Sequence, residues 1–345
     1  MAYNSDKSVG IVILNWNGRE YLEQFLPSVI ANSPGCEVIV ADNASSDDSV
    51  TFLKSHFPQV RLIELSQNFG FCEGYNQALK QVDTEYYVLL NSDVLVTPGW
   101  VVPIHALMQE NPDIAACQPK IKSYHEPHLL EYAGAGGGLF DVFGYPFCRG
   151  RIFDSLEEDK GQYNDTSEIF WATGACMFVR AADFHDLGGL EPAFFAHMEE
   201  IDLCWRLQNK NRKIFYCGQS EVYHVGGGTL HKSNPRKTFL NYRNGLALLV
   251  KNLADEDYFS TMFIRILLDW ISAVKFLVSG QTADAKAIYK AHQEVYRKRL
   301  YWRQKRVLQT TKKPLSKLHG IYPRSLVWAY FAEGKKRFSD LVSGK

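Results

Sequence analysis

The stretch VGIVILNWNGREYLEQFLPSVIANSPGCEVIVAD, Val9 to Asp42, decides the fold. It opens on an apolar, β-branched run, Val9–Leu14, and closes on a second, Val38–Ala41. Between them, Tyr21–Ile30 carries its apolar residues at helical spacing. Strand, helix, strand is a βαβ unit, because two parallel strands need a crossover of this length. The rhythm continues with apolar runs at Val60–Leu65 and Tyr86–Leu90 and helical segments at Ser49–His56 and Gly74–Lys80. Short buried strands alternating with helices predict an α/β protein with a Rossmann-like, mostly parallel sheet flanked by helices.

In such a sheet, ligands bind beyond the carboxyl ends of the strands. The first run is followed by Asn15-Trp16-Asn17-Gly18 and the second by Asp42-Asn43-Ala44-Ser45-Ser46-Asp47. The third leads to Gln67-Asn68-Phe69-Gly70-Phe71 and the fourth to Asn91-Ser92-Asp93. Any one of these could be ordinary turn and N-cap chemistry. Four in succession on one edge favour a polar ligand cleft. No GxGxxG follows the first strand and no GxxxxGK[ST] occurs, so glycine-helix phosphate binding is absent. A divalent metal could hold a diphosphate instead, and Asp93 is a suitable carboxylate for Mg²⁺ or Mn²⁺.

The rest of the chain differs in character. Residues 123–165 crowd Gly134, Gly136, Gly137, Gly138, Gly144 and Gly150 with aromatics and a polar tract, which reads as a long mobile excursion over the sheet. Trp171–Val179 reads as a further strand, and from Arg236 onward the pattern is helical. The whole chain of 345 residues, 46% hydrophobic and 22% charged, is neither disordered nor fibrous. Its zero net charge conceals an asymmetry. Gln281–Lys345 holds 16 basic and 4 acidic residues, leaving 22 basic and 34 acidic in residues 1–280. Seven cysteines without a CxxC suggest buried thiols in a reducing compartment. The opening MAYNSDKS lacks the apolar core of a signal peptide, and Phe263–Val278 contains Arg265, Asp269 and Lys275, so no membrane span is expected. The expected placement is cytoplasmic, at most peripheral at the inner face of the membrane.

Four segments in order, VADNASSDDS (Val40–Ser49), NFGFCEGYNQAL (Asn68–Leu79), LLNSDV (Leu89–Val94) and FFAHMEEIDLCWR (Phe194–Arg206), resemble glycosyltransferase family 2, whose fold is GT-A. The resemblance covers about residues 8–245 and is nearest to non-processive, rhamnosyltransferase-like members. It divides the chain into a catalytic domain, 1–245, and a basic helical region, 246–345. The nucleotide-sugar half would be about 1–120 and the acceptor half about 121–245. It implies inverting transfer from a UDP- or dTDP-linked sugar to a hydroxyl of a saccharide or lipid-linked acceptor, with Mg²⁺ or Mn²⁺. Asp42 would bond the nucleobase, with Asn15 on the same wall. Asn68, Gly70, Gly74 and Asn76 would line the nucleotide and its sugar. Asn91-Ser92-Asp93 stands where the family has DxD, with Asn in the first position, which loads metal binding onto Asp93. His224 resembles a histidine that completes the metal site in some members.

Glu199-Glu200-Ile201-Asp202 matches the family's E-D-x-D stretch, so Glu200 takes the place of the catalytic base, one methylene longer than the usual Asp. Neighbouring helical positions point about 100° apart, so Glu199 and Glu200 cannot both face the acceptor. Glu199 and Asp202 are the alternatives, although Arg206, four residues on, can pair with Asp202. His224 could touch metal or phosphate, or be an ordinary hydrogen-bonded histidine; the adjoining Gly226-Gly227-Gly228 permits close approach to a ligand. Trp171 and Gly174 could flank the acceptor or belong to a core strand. In Phe263–Val278 the polar residues share one arc, so the helix could pack on the catalytic domain or lie at a membrane surface. The basic run after it suits anionic lipid. Nothing upstream resembles a nucleic-acid module, so nucleic acid is not expected as a partner. A sugar-nucleotidyltransferase, or a degenerate protein that binds a nucleotide-sugar without turnover, would be the competing readings.

Overall fold

The computed structural model describes residues 8–226 and 234–342, so Gly227 and Gly228 lie outside the described residues. The first part alternates as the sequence predicts: β1 (Val9–Asn15), α1 (Arg19–Asn32), β2 (Glu37–Asp42), α2 (Ser49–His56), β3 (Arg61–Glu64), α3 (Gly70–Leu79) and β4 (Tyr86–Leu90). β1 pairs in parallel with β2 and with β4, and β2 with β3. β1 and β4 are buried on both faces, as strands covered by helices must be, while β3 is an edge strand with Arg61 and Glu64 exposed. α3 starts earlier than expected, at Gly70, whose φ of +77° makes the turn into the helix.

β5 (Val94–Val96), α4 (Val101–Glu110) and β6 (Ile114–Ser123) follow. The glycine-rich stretch is then not a mobile excursion. It folds as β7 (Gly138–Asp141), β8 (Pro146–Cys148), β9 (Arg151–Ile152) and β10 (Ser155–Leu156), a small second sheet. Gly144 and Gly150, at φ +86° and +90°, make its reversals. Strands this short carry too little alternation to be seen in sequence, yet Phe140, Phe147, Cys148 and Ile152 are fully buried.

β11 (Thr166–Glu168), β12 (Cys176–Arg180), α5 (Ala181–Asp186), α6 (Glu199–Asn209) and β13 (Lys213–His224) complete the large sheet, in the order β11-β13-β6-β12-β4-β1-β2-β3 with β5 on β13. The sheet is mixed: β3-β2-β1-β4 is parallel, whereas β12 runs antiparallel to both β4 and β6. The strand expected at Trp171–Val179 begins only at Cys176. Trp171 is instead a core residue whose indole Nε1 donates to Leu139 O at 2.9 Å.

The remaining chain forms α7 (Pro235–Asn252), α8 (Asp255–Val278), α9 (Thr282–Arg297), α10 (Arg299–Leu308), β14 (Ile321–Tyr322), α11 (Leu326–Phe331) and α12 (Phe338–Val342). The division expected at 245/246 falls inside α7. β14 adds to the small sheet, parallel to β7, and Trp302, Leu315 and Leu318 belong to the same core as β1 and β4. No helix among the described residues is long and apolar enough to cross a membrane.

Candidate active site

β1, β2 and β4 deliver Asn15, Asp42 and Asn91–Asp93 to one edge of the sheet, and paired Asn15↔Asp42 stand side by side there. Asn15 Nδ2 donates to Asp42 Oδ1 at 3.0 Å, and Ser45 binds both Asp42 oxygens, through its hydroxyl at 2.6 Å and its amide at 2.9 Å. Asp42 is thereby fixed in place with spare acceptor capacity, while Asn15 Oδ1 is buried without a partner. Asn17, at φ +52°, accepts from the amide of Ser46 at 2.7 Å and ties the two strand-end loops together.

Asn68 accepts from the Gly70 amide at 2.8 Å and from Asn43 Nδ2 at 3.1 Å, which sets the entry to α3. Gly70 packs so closely on Phe195 that a Cβ would stand 2.9 Å from its ring. Gly74 and Asn76 make contacts within the fold. A Cβ on Gly74 would meet Leu14 at 2.9 Å, so this glycine lets α3 lie on β1. The Asn76 amide is spent on the Leu190 backbone, donating to O at 2.8 Å and accepting from N at 2.9 Å.

Asp93 and His224 meet at the end of β4. His224 Nε2 lies 3.2 Å from Asp93 Oδ1 and His224 Nδ1 lies 3.2 Å from Glu131 Oε2, the second an ion-pair contact without hydrogen-bond alignment. Burial works to lower the His224 value, but the two carboxylates prevail and push it up to about 10. Burial works to raise Asp93, and His224 outweighs it, leaving the carboxyl below its usual range. Glu131, remote in sequence and flanked by no motif, was not among the expected residues.

The donor set suits a divalent ion that displaces the proton from His224, since only the neutral imidazole can be a ligand. Two neighbouring ligands of an octahedral ion with bonds of about 2.1 Å stand about 3.0 Å apart, close to the 3.2 Å between Asp93 Oδ1 and His224 Nε2. No group of three or more His, Cys, Asp or Glu side chains is arranged around a metal position among the described residues. The remaining coordination would fall to diphosphate and water, as Mg²⁺ prefers.

The glutamates sit at the start of α6, behind an unusual approach. Phe195, His197 and Met198 have φ of +67°, +68° and +71°, a left-handed backbone that ordinary residues adopt only when held. Asn244 of α7 holds it: its Nδ2 lies 3.0 Å from Phe194 O, 2.8 Å from Ala196 O and 2.7 Å from His197 O. Neither Asn244 nor this strain was legible as a motif. His197 is half-buried, and desolvation with the nearby Lys237 charge lowers its value to about 4.

The result is a pair of acids that each keep one oxygen without a partner. Glu199 Oε2 and Glu200 Oε2 are buried without hydrogen-bond partners. Burial pushes Glu200 up to about 7, and burial with the Glu200 charge holds Glu199 well above the usual range. Gly174 is the neighbouring surface, its missing Cβ 3.7 Å from Glu199 Oε1 and 3.9 Å from Glu200 Cβ. The next residue, Ala175, accepts from the Asn91 amide at 3.0 Å, which links the glutamates to the end of β4.

Asp202 lies apart from this chemistry. Arg206 Nε and Lys251 Nζ each bind its Oδ2 at 2.8 Å, and Asn252 binds Oδ1 at 2.8 Å. Against the effect of burial, these cations hold it at about 2. The Arg206 contact is the pairing that the spacing suggested, and Lys251 and Asn252 use the same carboxylate to anchor α6 to α7.

A family profile described as Glycosyl transferase family 2 matches residues 10–188, more than half of the chain. The chain belongs to glycosyltransferase family 2. It is therefore a glycosyltransferase, and its fold is GT-A. Among curated family 2 relatives, the N-acetylglucosaminyl-diphospho-decaprenol L-rhamnosyltransferase of Mycobacterium tuberculosis is 25% identical over 233 residues, 62% of this chain and 75% of that protein. The rhamnosyltransferase WbbL of Escherichia coli is 23% identical over 230 residues, 63% of this chain and 83% of its own. In fold, the chain matches the mannosyltransferase PcManGT from Pyrobaculum calidifontis, solved with GDP-Man and Mn²⁺, at a TM-score of 0.52 and 10% identity over 97% of this chain and 92% of that one.

Proposed function

We propose that this glycosyltransferase is a metal-dependent, inverting enzyme that moves a sugar from a UDP- or dTDP-linked donor to a hydroxyl group of a saccharide or lipid-linked acceptor in cell-surface glycan synthesis. The observation that carries the reading is the pair of glutamate oxygens, Glu199 Oε2 and Glu200 Oε2, buried without partners beside Gly174. A carboxyl oxygen left without a partner in such a place costs stability, which a structural role does not explain. Glu200, near neutrality, is matched to take a proton at physiological pH. Glu199, held protonated, leaves Glu200 as the ionising member.

In the proposed step, Glu200 accepts the proton of the acceptor hydroxyl as its oxygen bonds the anomeric carbon. The bond from that carbon to the diphosphate breaks on the opposite face, and the diphosphate leaves with the electron pair. Asp42 and Asn15 face the nucleoside; Asn68 and Gly70 shape the neighbouring wall. Mg²⁺ or Mn²⁺ held by Asp93 and His224 would offset the negative charge growing on the leaving group. The rhamnosyltransferase relatives support the substrate class, and the named acceptor of the mycobacterial relative supports a lipid-linked one. The basic C-terminal region would then bring the enzyme to an anionic membrane.

A thermal-shift panel of UDP-, dTDP- and GDP-sugars with Mn²⁺, followed by donor turnover, tests this. Stabilisation by one donor and loss of turnover in Asp93→Ala are expected. No stabilisation by any of them would refute the nucleotide-sugar reading.

A further inference from the structure

The amphipathic helix α8 is mounted with its faces exchanged. Phe259, Phe263, Trp270, Ile271, Val274 and Val278 are exposed, Phe259 and Val278 by 83% and 84%. At about 100° per residue these six fall within an arc of about 120°. The charged face is the buried one. Arg265 Nε binds Asp269 Oδ1 at 2.7 Å, Arg265 Nη1 donates to Gly144 O at 2.7 Å, and Tyr145 and His292 each reach Asp269 at 3.1 Å. Gly144 leaves room for this: a Cβ there would come within 3.1 Å of Arg265 Nη1. The polar side of α8 is tied to the body by the hydrogen bonds of Arg265 and Asp269 to Gly144, Tyr145 and His292, so the helix cannot simply roll over to hide its apolar side.

The rim of this face has the chemistry of a water–lipid boundary. Trp270 lies 6.4 Å from Tyr289 of α9, and Lys275 Nζ stands 4.1 Å from the centre of the Phe331 ring of α11. Phe331 and its neighbour Trp328 are themselves exposed. Tryptophan, tyrosine and lysine combine an apolar body with a polar tip and settle where hydrocarbon meets headgroups. Lys286 and Lys290 on α9 and Arg299 and Arg303 on α10 are exposed nearby in the chain. Lys305 and Arg306 are spent internally on Glu191 and Asp255. A second copy on the same face would set one strongly basic region against another across a two-fold axis. An anionic bilayer complements that charge.

We infer that the outward face of α8 inserts into the interfacial layer of an anionic membrane, lying in its plane, with the exposed basic residues of α9 and α10 meeting lipid phosphates. The inference rests on the reading that the basic region brings the enzyme to an anionic surface, and adds the surface that enters it. At 24 residues, α8 offers a contact about 36 Å long.

Flotation of the full chain with vesicles of phosphatidylcholine, alone or mixed with phosphatidylglycerol, tests it. Phe263→Asp combined with Val274→Asp should lower binding to the mixed vesicles about tenfold or more. Melting temperature and vesicle-free donor turnover should stay at the wild-type level. Lys286→Glu with Lys290→Glu should reduce binding to the mixed vesicles alone. If the double Asp variant bound like wild type while the Lys variants did not, the insertion would be refuted and the electrostatic reading kept. If wild type bound neither vesicle, both would fall. Sedimentation showing a dimer that the Asp variant dissociates would assign the face to a second copy and overturn the inference.

Discussion

Replacing Glu200 by Gln should make the enzyme slower and, above neutral pH, more stable. The group moves from 4.5 in the unfolded chain to about 7 in the fold, chiefly through burial. At about 1.4 kcal/mol per pH unit, holding it ionised costs the folded state about 3 kcal/mol. A raised carboxyl value contributes stability below the unfolded value of 4.5, and that contribution is lost as pH rises to about 7. Glutamine keeps the shape of the neutral acid and escapes the loss. Urea unfolding should therefore find Glu200→Gln more stable than wild type by about 3 kcal/mol near pH 8, and by less than about 1 near pH 5. Turnover should fall by about 10² to 10⁴, the usual loss on removing a general base. Wild-type kcat/KM should rise with pH through about 7. Near-full turnover in the variant would show that Glu200 is not the base. Unchanged stability near pH 8 would show that its carboxylate is not held at a cost.

Asn244→Ala strips the side-chain donor from Ala196 O and His197 O and leaves Phe194 O to Arg243 and the Ala196 amide, and should cost about 2 kcal/mol. As a positioning change it should lower kcat with little effect on donor KM, read by steady-state kinetics beside urea unfolding. Asp202→Asn takes from Arg206 its one carboxylate partner among the described residues and leaves Lys251 to Glu191, and should cost about 3 kcal/mol at neutral pH. Because Asp202 is lowered to about 2 in the fold, that difference should shrink only as pH falls below 3.8 towards 2, a trend measurable in acid-titrated denaturation. Gly70→Ala places a methyl group 2.9 Å from Phe195 at a φ of +77°, and should lower stability by about 1–3 kcal/mol, checked by calorimetry. A fully stable Gly70→Ala would mean that Phe195 swings aside freely.

The parallel half was legible because each strand and helix from Val9 to Leu90 writes its own period into the sequence. The direction of β12 was not, since an apolar run such as Cys176–Val179 looks the same run either way. The small sheet was missed because two- to four-residue strands between glycines leave no pattern. At the site, acids in motif positions could be named, and Glu199, Glu200 and Asp93 lie where strand ends and helix starts present them. Gly74 and Asn76 belong to the same motif, and their contacts to Leu14 and Leu190 are ones that only the fold creates. Glu131 and Asn244 reach the site from far along the chain, so no local spacing marks them. α8 was readable as amphipathic, yet only the partners of Arg265 and Asp269 decide which face turns inward.

The chain's last hundred residues bear on how this enzyme is made. Tyr301 and Lys305 hold Glu191, His319 meets Gln208, and β14 closes the small sheet, all after the glutamates have already been synthesised. A nascent chain that has just emitted α6 therefore carries every acid of the site and lacks the scaffold that aims them. A stop codon after α7 would yield unfinished protein rather than a smaller enzyme.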